Sequence, residues 1–395
     1  MRAQSLPPAL HPPDRLLCGP GPTNVDPRVL EAMQRPMLGH LDPHLHEQLL
    51  DVIDMLRLVW RTSASTVLPL SATGTSGMEA GIVNLIAPRE TVVVGACGYF
   101  GRRIAEIAGR HGASVVVVEA DWGEPVDRER LLEALAAHPD AAMLAVVHAE
   151  TSTGVEQPLA GLARAARELA PNVLVMADCV TSLGGSAVEF DAWEIDYAYS
   201  CTQKCLGAPP GMAPIALSER ALHRMGIRRH DVPFSLDLAL LRSYWLERPA
   251  VYHHTAPILG IYALHEALRI TLSETLDRRW TRHRMAGGRL QQGLKAMGME
   301  LLADPDRQLA QLTAIRVPDG VDARAVQRQM LEEHQIEIGG GLGPDAPPMW
   351  RIGLMGPNAD EQTADVVLSA FEGVLSQTAA PAAARSVAPG YSPVR

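Results

Sequence analysis

The stretch "TVVVGACGYFGRRIAEIAGRHGASVVVVEA" (residues 91–120) decides the fold. Two runs rich in β-branched residues, at 91–96 and 114–120, enclose a segment with a helical pattern. Continuous rather than alternating apolarity is typical of strands that are buried on both faces. The stretch therefore predicts a strand–helix–strand unit whose two strands belong to a mostly parallel sheet.

The same alternation of apolar runs and helical patterns extends over residues 66–218. The other runs are "TVLPL" (66–70), "MLAVVH" (143–148), "NVLVMAD" (172–178), "IDYAYS" (195–200) and "MAPIAL" (212–217). Together they predict an α/β fold whose large domain contains a mostly parallel, seven-stranded sheet. Ahead of the sheet, residues 42–60 carry apolar side chains at helical spacing, which predicts an amphipathic helix; these side chains are Leu45, Leu49, Val52, Leu56 and Val59.

A chain of 395 residues is long enough for one large and one smaller domain. From about residue 276 the pattern changes to a helix, short strands and a further helix. We predict an N-terminal arm (1–19), a large domain (20–275), a small C-terminal α+β domain (276–377) and a tail (378–395). The tail is rich in alanine and proline, a composition typical of disorder.

The 35 basic and 45 acidic residues give a net charge of −10, and no basic run stands out. We therefore expect neither nucleic acid nor a membrane as a partner. The five cysteines are odd in number, and their spacing fits neither a disulfide framework nor a zinc site. They predict reduced thiols in a cytoplasmic protein without a bound metal.

Polar residues and glycines follow several of the predicted strands, where an open parallel sheet binds its ligands. The loop at 71–77 opens a helix with hydroxyls and glycines, an arrangement that favours a phosphate. Asp178 ends one strand, hydroxyls follow another at 148–154, and Tyr99 and Phe100 follow a third. Taken singly, each feature has a simpler explanation in helix capping or in packing.

Lys204 lies in "SCTQKCLGAPPG" (200–211), among small and hydroxylated residues and just before a rigid turn. A surface lysine at a strand end is the simpler interpretation. Together with Asp178 and the phosphate-type loop, however, Lys204 completes the set that pyridoxal phosphate needs. The aldehyde of that cofactor forms a Schiff base with a lysine, and its ring nitrogen needs an acidic partner. The combined pattern predicts a pyridoxal phosphate site.

These motifs resemble those of the class V, fold-type I aminotransferases, in the alanine/serine–glyoxylate and serine–pyruvate group. The resemblance covers residues 16 to about 377. It is carried by "LLCGPGPTNVDPRVLEAM" (16–33), "ATGTSGMEA" (72–80), "HAETSTGVEQPL" (148–159), "ADCVTSLGG" (177–185), "SCTQKCLGAPPG" (200–211), "YHHTAPILGIYALHEAL" (252–268) and "WRIGLMGPNA" (350–359).

The resemblance implies a fold-type I pyridoxal-phosphate-dependent transferase that acts as a homodimer with shared active sites. Lys204 and Asp178 would be catalytic: the lysine forms the Schiff base and moves the proton, and the aspartate holds the ring nitrogen. Arg351 would bind the substrate carboxylate in a two-pronged pair, with Gly21 beside the substrate. The other cofactor contacts would be Thr73, Gly74, Thr75 and Gln203 at the phosphate, Val180 and Phe100 on the two ring faces, Thr151 at the phenolic oxygen, and Tyr252 and Thr255 at the phosphate of the neighbouring subunit.

Two positions depart from the family pattern. Phe100 stands where the best-known members have tryptophan, and Thr75 stands where they have histidine. Phenylalanine still stacks with a smaller area, and Thr75 still offers its backbone N–H. We expect altered cofactor affinity and intact chemistry. "GGGLGP" (339–344) is interpreted as a flexible loop that leads to the strand of Arg351, and the histidines, including His148, His253 and His254, as packing or hydrogen-bonding residues.

The expected reaction is transamination between serine or alanine and glyoxylate or pyruvate. Exchange between ureidoglycine and glyoxylate, or between pyridoxamine and pyruvate, stays open because the pocket residues do not rank these substrates. A cysteine desulfurase needs a nucleophilic cysteine on a C-terminal loop, and the last cysteine here is Cys205. A non-catalytic binding protein on the same fold is disfavoured by the presence of Lys204, Asp178 and Arg351.

Overall fold

The computed structural model describes residues 6–63, 66–247 and 251–378. Its strands are β1 (Leu16–Leu17), β2 (Thr66–Leu70), β3 (Thr91–Ala96), β4 (Ser114–Glu119), β5 (Met143–Val147), β6 (Ala149–Glu150), β7 (Val155–Glu156), β8 (Leu174–Asp178), β9 (Tyr197–Tyr199), β10 (Ala213–Leu217), β11 (Leu312–Arg316), β12 (Ile336–Glu337), β13 (Gly339–Gly340) and β14 (Met349–Gly353). Its α-helices are α1 (Pro27–Ala32), α2 (Pro43–Trp60), α3 (Gly74–Leu85), α4 (Tyr99–Arg110), α5 (Arg128–Ala137), α6 (Leu162–Leu169), α7 (Glu219–Ile227), α8 (Leu238–Trp245), α9 (Ile258–Glu274), α10 (Leu276–Ala296), α11 (Ala323–His334) and α12 (Glu361–Thr378).

The central sheet contains seven strands in the order β2-β10-β9-β8-β5-β3-β4. Each of the seven apolar runs forms one of these strands, so the predicted α/β fold is confirmed. The pairs from β9 to β4 are parallel, and β10 is antiparallel to both of its neighbours. The chain reverses between β9 and β10 through the Ala-Pro-Pro-Gly turn (208–211) without a crossover helix, and parallel neighbours need such a crossover.

Strand β4 differs from the expectation that the apolar runs are buried on both faces. Of its six residues only Val118 is buried, and Val117 is 41% exposed. The strand lies at the edge of the sheet, where it pairs with β3 alone. Its position in the strand order, which the apolar run does not encode, therefore sets its exposure.

The carboxyl ends of β3, β5, β8 and β9 share one edge of the sheet because these strands are parallel. Strand β2 runs in the same direction, since two antiparallel pairings through β10 restore its orientation. The loops that follow these five strands therefore meet at one edge. We call these strand ends, with the loops that follow them, the site-bearing edge of the molecule.

Helix α2 confirms the amphipathic helix predicted over residues 42–60. Asp42 caps its first turn by accepting a hydrogen bond from the His44 N–H, and Pro43 occupies the position where a missing N–H costs nothing. The helix ends at Trp60, and the next residue, Arg61, has a φ of +51°. All five side chains predicted to face the core are buried, together with Ile53 and Trp60.

A second hydrophobic core is formed mainly by residues between 286 and 374. It packs α10, α11 and α12 around the three-stranded sheet β11-β14-β13. Cys18 joins this core, and β1 pairs in parallel with β12, so the start of the described chain is attached to its C-terminal part. The limits of the N-terminal arm and the two domains stay predictions. The predicted disordered tail lies, from residue 379 onward, outside the described residues.

Within residues 6–63, 66–247 and 251–378, no helix combines the length and the apolar character that crossing a bilayer requires.

Candidate active site

Lys204 lies in the connection between β9 and β10, on the site-bearing edge. Its ammonium group donates a hydrogen bond to the carbonyl oxygen of Pro20. The side chain also lies against Gly21, where an added Cβ would come within 2.5 Å of Lys204 Nζ. Burial lowers the pKa of Lys204, and the positive charge of Arg351 lowers it further. A lowered pKa increases the fraction of neutral amine, which is the nucleophilic form.

Asp178 ends β8, one strand away from the segment that carries Lys204. Its carboxylate accepts hydrogen bonds from the Val180 N–H at 2.8 Å and from the Tyr199 hydroxyl at 2.6 Å. Burial raises the pKa of Asp178 to about 7, although both hydrogen bonds oppose this shift. The carboxylate is therefore held in a dry position with acceptor capacity to spare, and a protonated heterocyclic nitrogen would meet that capacity.

The amino end of α3 lies at the same edge. Thr73 caps the helix by accepting a hydrogen bond from the Ser76 N–H at 3.3 Å, and the Gly77 N–H donates to the carbonyl of Thr73. The helix therefore uses the Gly77 N–H, and this group is not available to a phosphate. Gly74 is buried, and a Cβ there would lie 3.3 Å from Val180 Cγ2. Glycine thus lets the start of α3 approach Val180, two residues after Asp178.

Phe100 lies in the first turn of α4 and is partly buried. Its ring meets that of Tyr99 edge to face, with the centroids 5.6 Å apart. The Arg103 guanidinium covers the Tyr99 ring at 4.7 Å and the Phe100 ring at 5.6 Å. The Arg103 side chain also donates a hydrogen bond of 2.6 Å to the Tyr99 hydroxyl. The aromatic pair is therefore part of an ordered cluster at the site-bearing edge.

Arg351 lies in β14 and only 5% of it is exposed. Its Nε donates to the Gly340 carbonyl at 2.6 Å, and its Nη1 donates to the Thr151 carbonyl at 3.0 Å. Gly339 and Gly340 form β13 and pair with β14, so the interpretation of 339–344 as a loop throughout is wrong for these two residues. Burial lowers the pKa of Arg351 to about 10, and the nearby Glu150 carboxylate opposes that shift.

Tyr252 and Thr255 lie on the surface, in contrast to the residues above. Tyr252 is 57% exposed, and its hydroxyl is 3.4 Å from the Thr255 hydroxyl. Between them, the His254 ring contacts the Ser71 hydroxyl at 2.7 Å, next to the loop that precedes α3. The structure therefore connects this exposed segment to the site-bearing edge of its own chain through a histidine.

The remaining histidines at this edge make packing contacts and hydrogen bonds. The ring of His148 is buried against Trp193, with the centroids 5.0 Å apart, and burial lowers its pKa to about 4. His253 bonds to His254 and to the Phe234 carbonyl. In the part of the chain that the structure describes, no group of three or more histidine, cysteine, aspartate or glutamate side chains has the arrangement of a metal site.

Two polar residues at this edge escaped the sequence analysis. Tyr199 bonds Asp178 because the two residues are register partners on neighbouring strands. That proximity could have been inferred from the equal positions of the two residues at the ends of successive strands. Glu150 is fully buried and bonds to the first turn of α4. These partners in α4 are about 50 residues away, and no local pattern reveals them.

The residues present fit pyridoxal phosphate. Lys204 supplies a buried amine and Asp178 supplies a buried carboxylate with unused acceptor capacity. The amino end of α3, where Thr73 is the N-cap, is suited to an anion. Val180 and Phe100 are partly buried side chains that could face the two sides of a flat ring.

Residues 16–356 match the model of a protein family described as aminotransferase class-V. An alanine–glyoxylate aminotransferase of Drosophila melanogaster is 36% identical, with 91% of this chain and 92% of the relative covered. An (S)-ureidoglycine–glyoxylate transaminase of Bacillus subtilis is 35% identical, with 92% of this chain and 91% of the relative covered.

The fold is likewise similar to solved structures. The crystal structure of an alanine–glyoxylate aminotransferase from Nostoc superposes with a TM-score of 0.91 and is 44% identical. The alignment covers 95% of this chain and 98% of the Nostoc chain.

Proposed function

Because the chain belongs to the class-V aminotransferase family, we propose that it transfers the amino group of serine or alanine to glyoxylate or pyruvate. The chain is a transaminase that acts on amino acids and 2-oxo acids and uses pyridoxal phosphate. The observation that carries the substrate proposal is the crowding of Gly21 against Lys204, together with the buried Arg351 guanidinium, whose charge acts on Lys204.

When bound, pyridoxal phosphate supplies an aldehyde and a ring that withdraws electrons from the substrate α-carbon. In our proposal, Lys204 Nζ takes the proton from that carbon and later returns a proton. Asp178 Oδ1 and Oδ2 keep the ring nitrogen protonated, because a buried carboxylate favours a positive partner. Phe100 and Val180 exclude water from the two faces of the ring, and Thr151 orients the ring through its hydroxyl.

Arg351 is the proposed anchor for the substrate carboxylate. A guanidinium has five N–H donors. Two of them donate to main-chain carbonyls within the described residues, and these bonds fix the plane of the group. Three donors remain, which is enough for a two-pronged pair with a carboxylate. Gly21 leaves little space beside Lys204, so the donor we propose has a short side chain.

Three alternative reactions compete with this proposal: exchange from ureidoglycine, exchange from pyridoxamine, and desulfuration of cysteine. Ureidoglycine and pyridoxamine are tested as amino donors beside serine and alanine. A desulfurase would need a reactive thiolate, and burial raises the pKa of the cysteines nearest to Lys204, Cys201 and Cys205, to about 12. Both thiols are therefore protonated at neutral pH and do not suit that reaction.

A matrix of amino donors against 2-oxo acids tests the proposal on purified protein loaded with pyridoxal phosphate. Serine or alanine with glyoxylate or pyruvate should give the highest kcat/KM. A preference for ureidoglycine or pyridoxamine of tenfold or more would overturn the substrate assignment and leave the transaminase assignment intact. The Lys204→Ala variant provides the blank for non-enzymatic exchange.

The enzyme we propose is a homodimer whose active sites are shared. The hydroxyls of Tyr252 and Thr255 are exposed, and apolar side chains are exposed beside them in the sequence, Val251 at 57% and Leu259 at 36%. Exposed apolar groups around a pair of hydroxyls suit a surface that a second subunit covers. In the dimer, these hydroxyls would reach the cofactor phosphate of the partner subunit, which needs several donors in a dry site.

Subunit mixing tests the shared site. One variant is Lys204→Ala, and the other combines Tyr252→Ala with Thr255→Ala. If phosphate contacts cross the interface, a mixed dimer has one site with both defects and one site with neither. Refolding the two variants together should then restore activity that neither regains when refolded alone. Mixed dimers that form and remain inactive would contradict the shared site.

The cysteines support a reducing compartment, and we propose the cytoplasm. All five thiols are free and buried. Secreted proteins commonly use cysteines in disulfides, whereas reducing compartments keep them as thiols. Fractionation of the native host, with the enzyme followed by its activity, tests this location.

A further inference from the structure

Helix α4 brings Phe100 to the site-bearing edge, and its own sequence provides no cap. The first N–H groups of a helix have no partner within the helix. The residue before α4 is Gly98, which has no side chain to accept from them. Glycine is also required there for space, because a Cβ at residue 98 would overlap the hydroxyl of Ser152.

The missing cap is supplied by Glu150 and Ser152, about 50 residues further along the chain. Glu150 Oε2 accepts hydrogen bonds from the N–H groups of Phe100 at 3.1 Å and Gly101 at 3.3 Å. The Ser152 hydroxyl oxygen accepts from the Tyr99 N–H at 2.8 Å. Three successive N–H groups of the first turn are thus held by one short segment.

The same carboxylate also organises its own segment. Glu150 Oε1 accepts from the Ser152 N–H at 3.0 Å and from the Ser152 hydroxyl at 2.6 Å. With four donors in place, the acceptor positions of an ionised carboxylate are filled. A proton on Oε2 would remove the acceptor that the Phe100 and Gly101 N–H groups use. The hydrogen bonds to α4 therefore favour a deprotonated Oε2, although burial raises the pKa of Glu150.

Thr151 lies between the two capping residues and connects the segment to a second site residue. Its carbonyl oxygen accepts the 3.0 Å hydrogen bond from Arg351 Nη1. The direction of that carbonyl depends on the fold of the 150–152 turn, which the Glu150 carboxylate closes onto Ser152. One turn therefore contacts both the helix that bears Phe100 and the guanidinium of Arg351.

We propose that Glu150 is a positioning residue for transamination, which sets the Phe100 ring through the first turn of α4 and sets Arg351 through the turn at Thr151. This role rests on the proposed function, in which Phe100 stacks on the cofactor and Arg351 binds the substrate carboxylate. In this proposal Glu150 itself contacts neither the cofactor nor the substrate. A cap that only stabilises the fold would leave cofactor geometry and substrate binding unchanged.

The decisive variant is Glu150→Gln, which keeps the size of the side chain and replaces one acceptor oxygen by an NH₂ donor. That NH₂ group must face either the N–H groups of α4 or the N–H and hydroxyl of Ser152. The variant therefore loses hydrogen bonds either to the first turn of α4 or to the turn at 150–152. Ser152→Ala is the milder second variant, because it removes the acceptor for the Tyr99 N–H and keeps the carboxylate. Asp127→Ala is the matched control: it removes the N-cap of α5, which bonds the Arg130 N–H at 2.9 Å, from a helix without a proposed site residue.

Three quantities are measured on the holoenzyme: the visible circular dichroism of the bound cofactor, the dissociation constant of pyridoxal phosphate, and KM against kcat for the amino donor. We expect Glu150→Gln to reduce the dichroic band, and to raise both the dissociation constant and the donor KM about tenfold, the scale of one lost charge-assisted hydrogen bond. Ser152→Ala should shift the band and the dissociation constant in the same direction by a smaller factor. Asp127→Ala should lower only the thermal midpoint.

Wild-type values of all three quantities in Glu150→Gln, with a lowered thermal midpoint, would show a structural cap and overturn the proposal. If Glu150→Gln does not fold, Ser152→Ala becomes the deciding variant. An unchanged dichroic band and an unchanged dissociation constant of pyridoxal phosphate in Ser152→Ala would then overturn the proposal. A wild-type protein without donor turnover would instead contradict the proposed function, so the two failures are distinguishable.

Discussion

The ends of β8 and of β6 both carry a buried carboxylate, and the two differ in how far their acceptors are used. Asp178 accepts two hydrogen bonds, from Val180 and Tyr199, whereas Glu150 accepts four. Both are buried, so both bear the cost of removing a charge from water. Glu150 offsets more of that cost within its own chain, because four donors face it and only two face Asp178. In our proposal, this unused acceptor capacity in a buried position distinguishes Asp178, which would bind the cofactor, from Glu150, which would position other residues of the site.

Replacement of Lys204 should produce the largest effect, because it tests whether this edge is the reacting one at all. The sequence contains two lysines, Lys204 and Lys295, and Lys295 is exposed in the last turn of α10. Lys204→Ala should abolish turnover and the adduct that borohydride traps, while Lys295→Arg should leave both unchanged. If peptide mapping placed the trapped adduct on Lys295, Lys204 would not be the Schiff-base residue, and the role proposed for the neighbouring Asp178 would also be wrong.

Asp178→Asn should have the next largest effect. An amide cannot hold the ring nitrogen in its protonated form, so the site loses a key electrostatic partner. We expect kcat to fall by about two orders of magnitude or more. The measurement is steady-state turnover at saturating cofactor, with the absorbance of the bound cofactor as a check of occupancy. A near-normal kcat would mean that the unused acceptor capacity of Asp178 has no role in the reaction.

Arg351→Lys tests whether the guanidinium binds the substrate carboxylate. Lysine keeps the positive charge and loses the planar donors that reach the carbonyls of Thr151 and Gly340. The donor KM should rise about tenfold or more, with a normal cofactor spectrum, because one hydrogen-bonded pair to a carboxylate is lost. An unchanged KM for every donor would show that the guanidinium serves the fold alone, as an internal link between β13, β14 and the turn at Thr151.

The pH dependence of stability should show the smallest effect, in the protein without cofactor. The pKa of Asp178 is raised by burial from 3.8 to about 7, so the folded state holds its proton more tightly than the unfolded state. Its contribution to stability is therefore present below pH 3.8 and is lost as the pH rises through about 7. We expect Asp178→Asn to melt higher than the wild type at pH 8, by about 2 °C or more, and to lose this advantage near pH 4.

Differential scanning calorimetry of both proteins from pH 4 to 8 provides the measurement. Asp127→Asn serves as the control, since Asp127 caps an exposed helix end and asparagine caps equally well. A melting difference that does not change with pH would show that Asp178 carries no raised pKa. The cofactor should reverse the trend, because a positive partner lowers the pKa of the carboxylate.

The large sheet, and the placement of Lys204 at the site-bearing edge, were predictable from local sequence. Seven apolar runs became seven strands, and helix α2 formed where five apolar side chains repeat at helical spacing. Lys204 and Asp178 were identifiable as candidates because Asp178 ends one strand and Lys204 follows another, and the chain direction in a parallel sheet places such positions at one edge. The family resemblance added Thr151, Tyr252 and Arg351, and their individual roles stay predictions.

Local sequence could not predict three other features: the exposure of β4, the antiparallel direction of β10, and the role proposed for Glu150. Exposure of β4 follows from its place at the edge of the sheet, and a single strand carries no record of its neighbours. Two of the four donors to Glu150, the Phe100 and Gly101 N–H groups, lie about 50 positions earlier, across the β3–β5 pairing. Periodicity and turn chemistry are short-range signals that specify elements and their ends. Which polar groups then meet, and which keep acceptors to spare, depends on long-range packing.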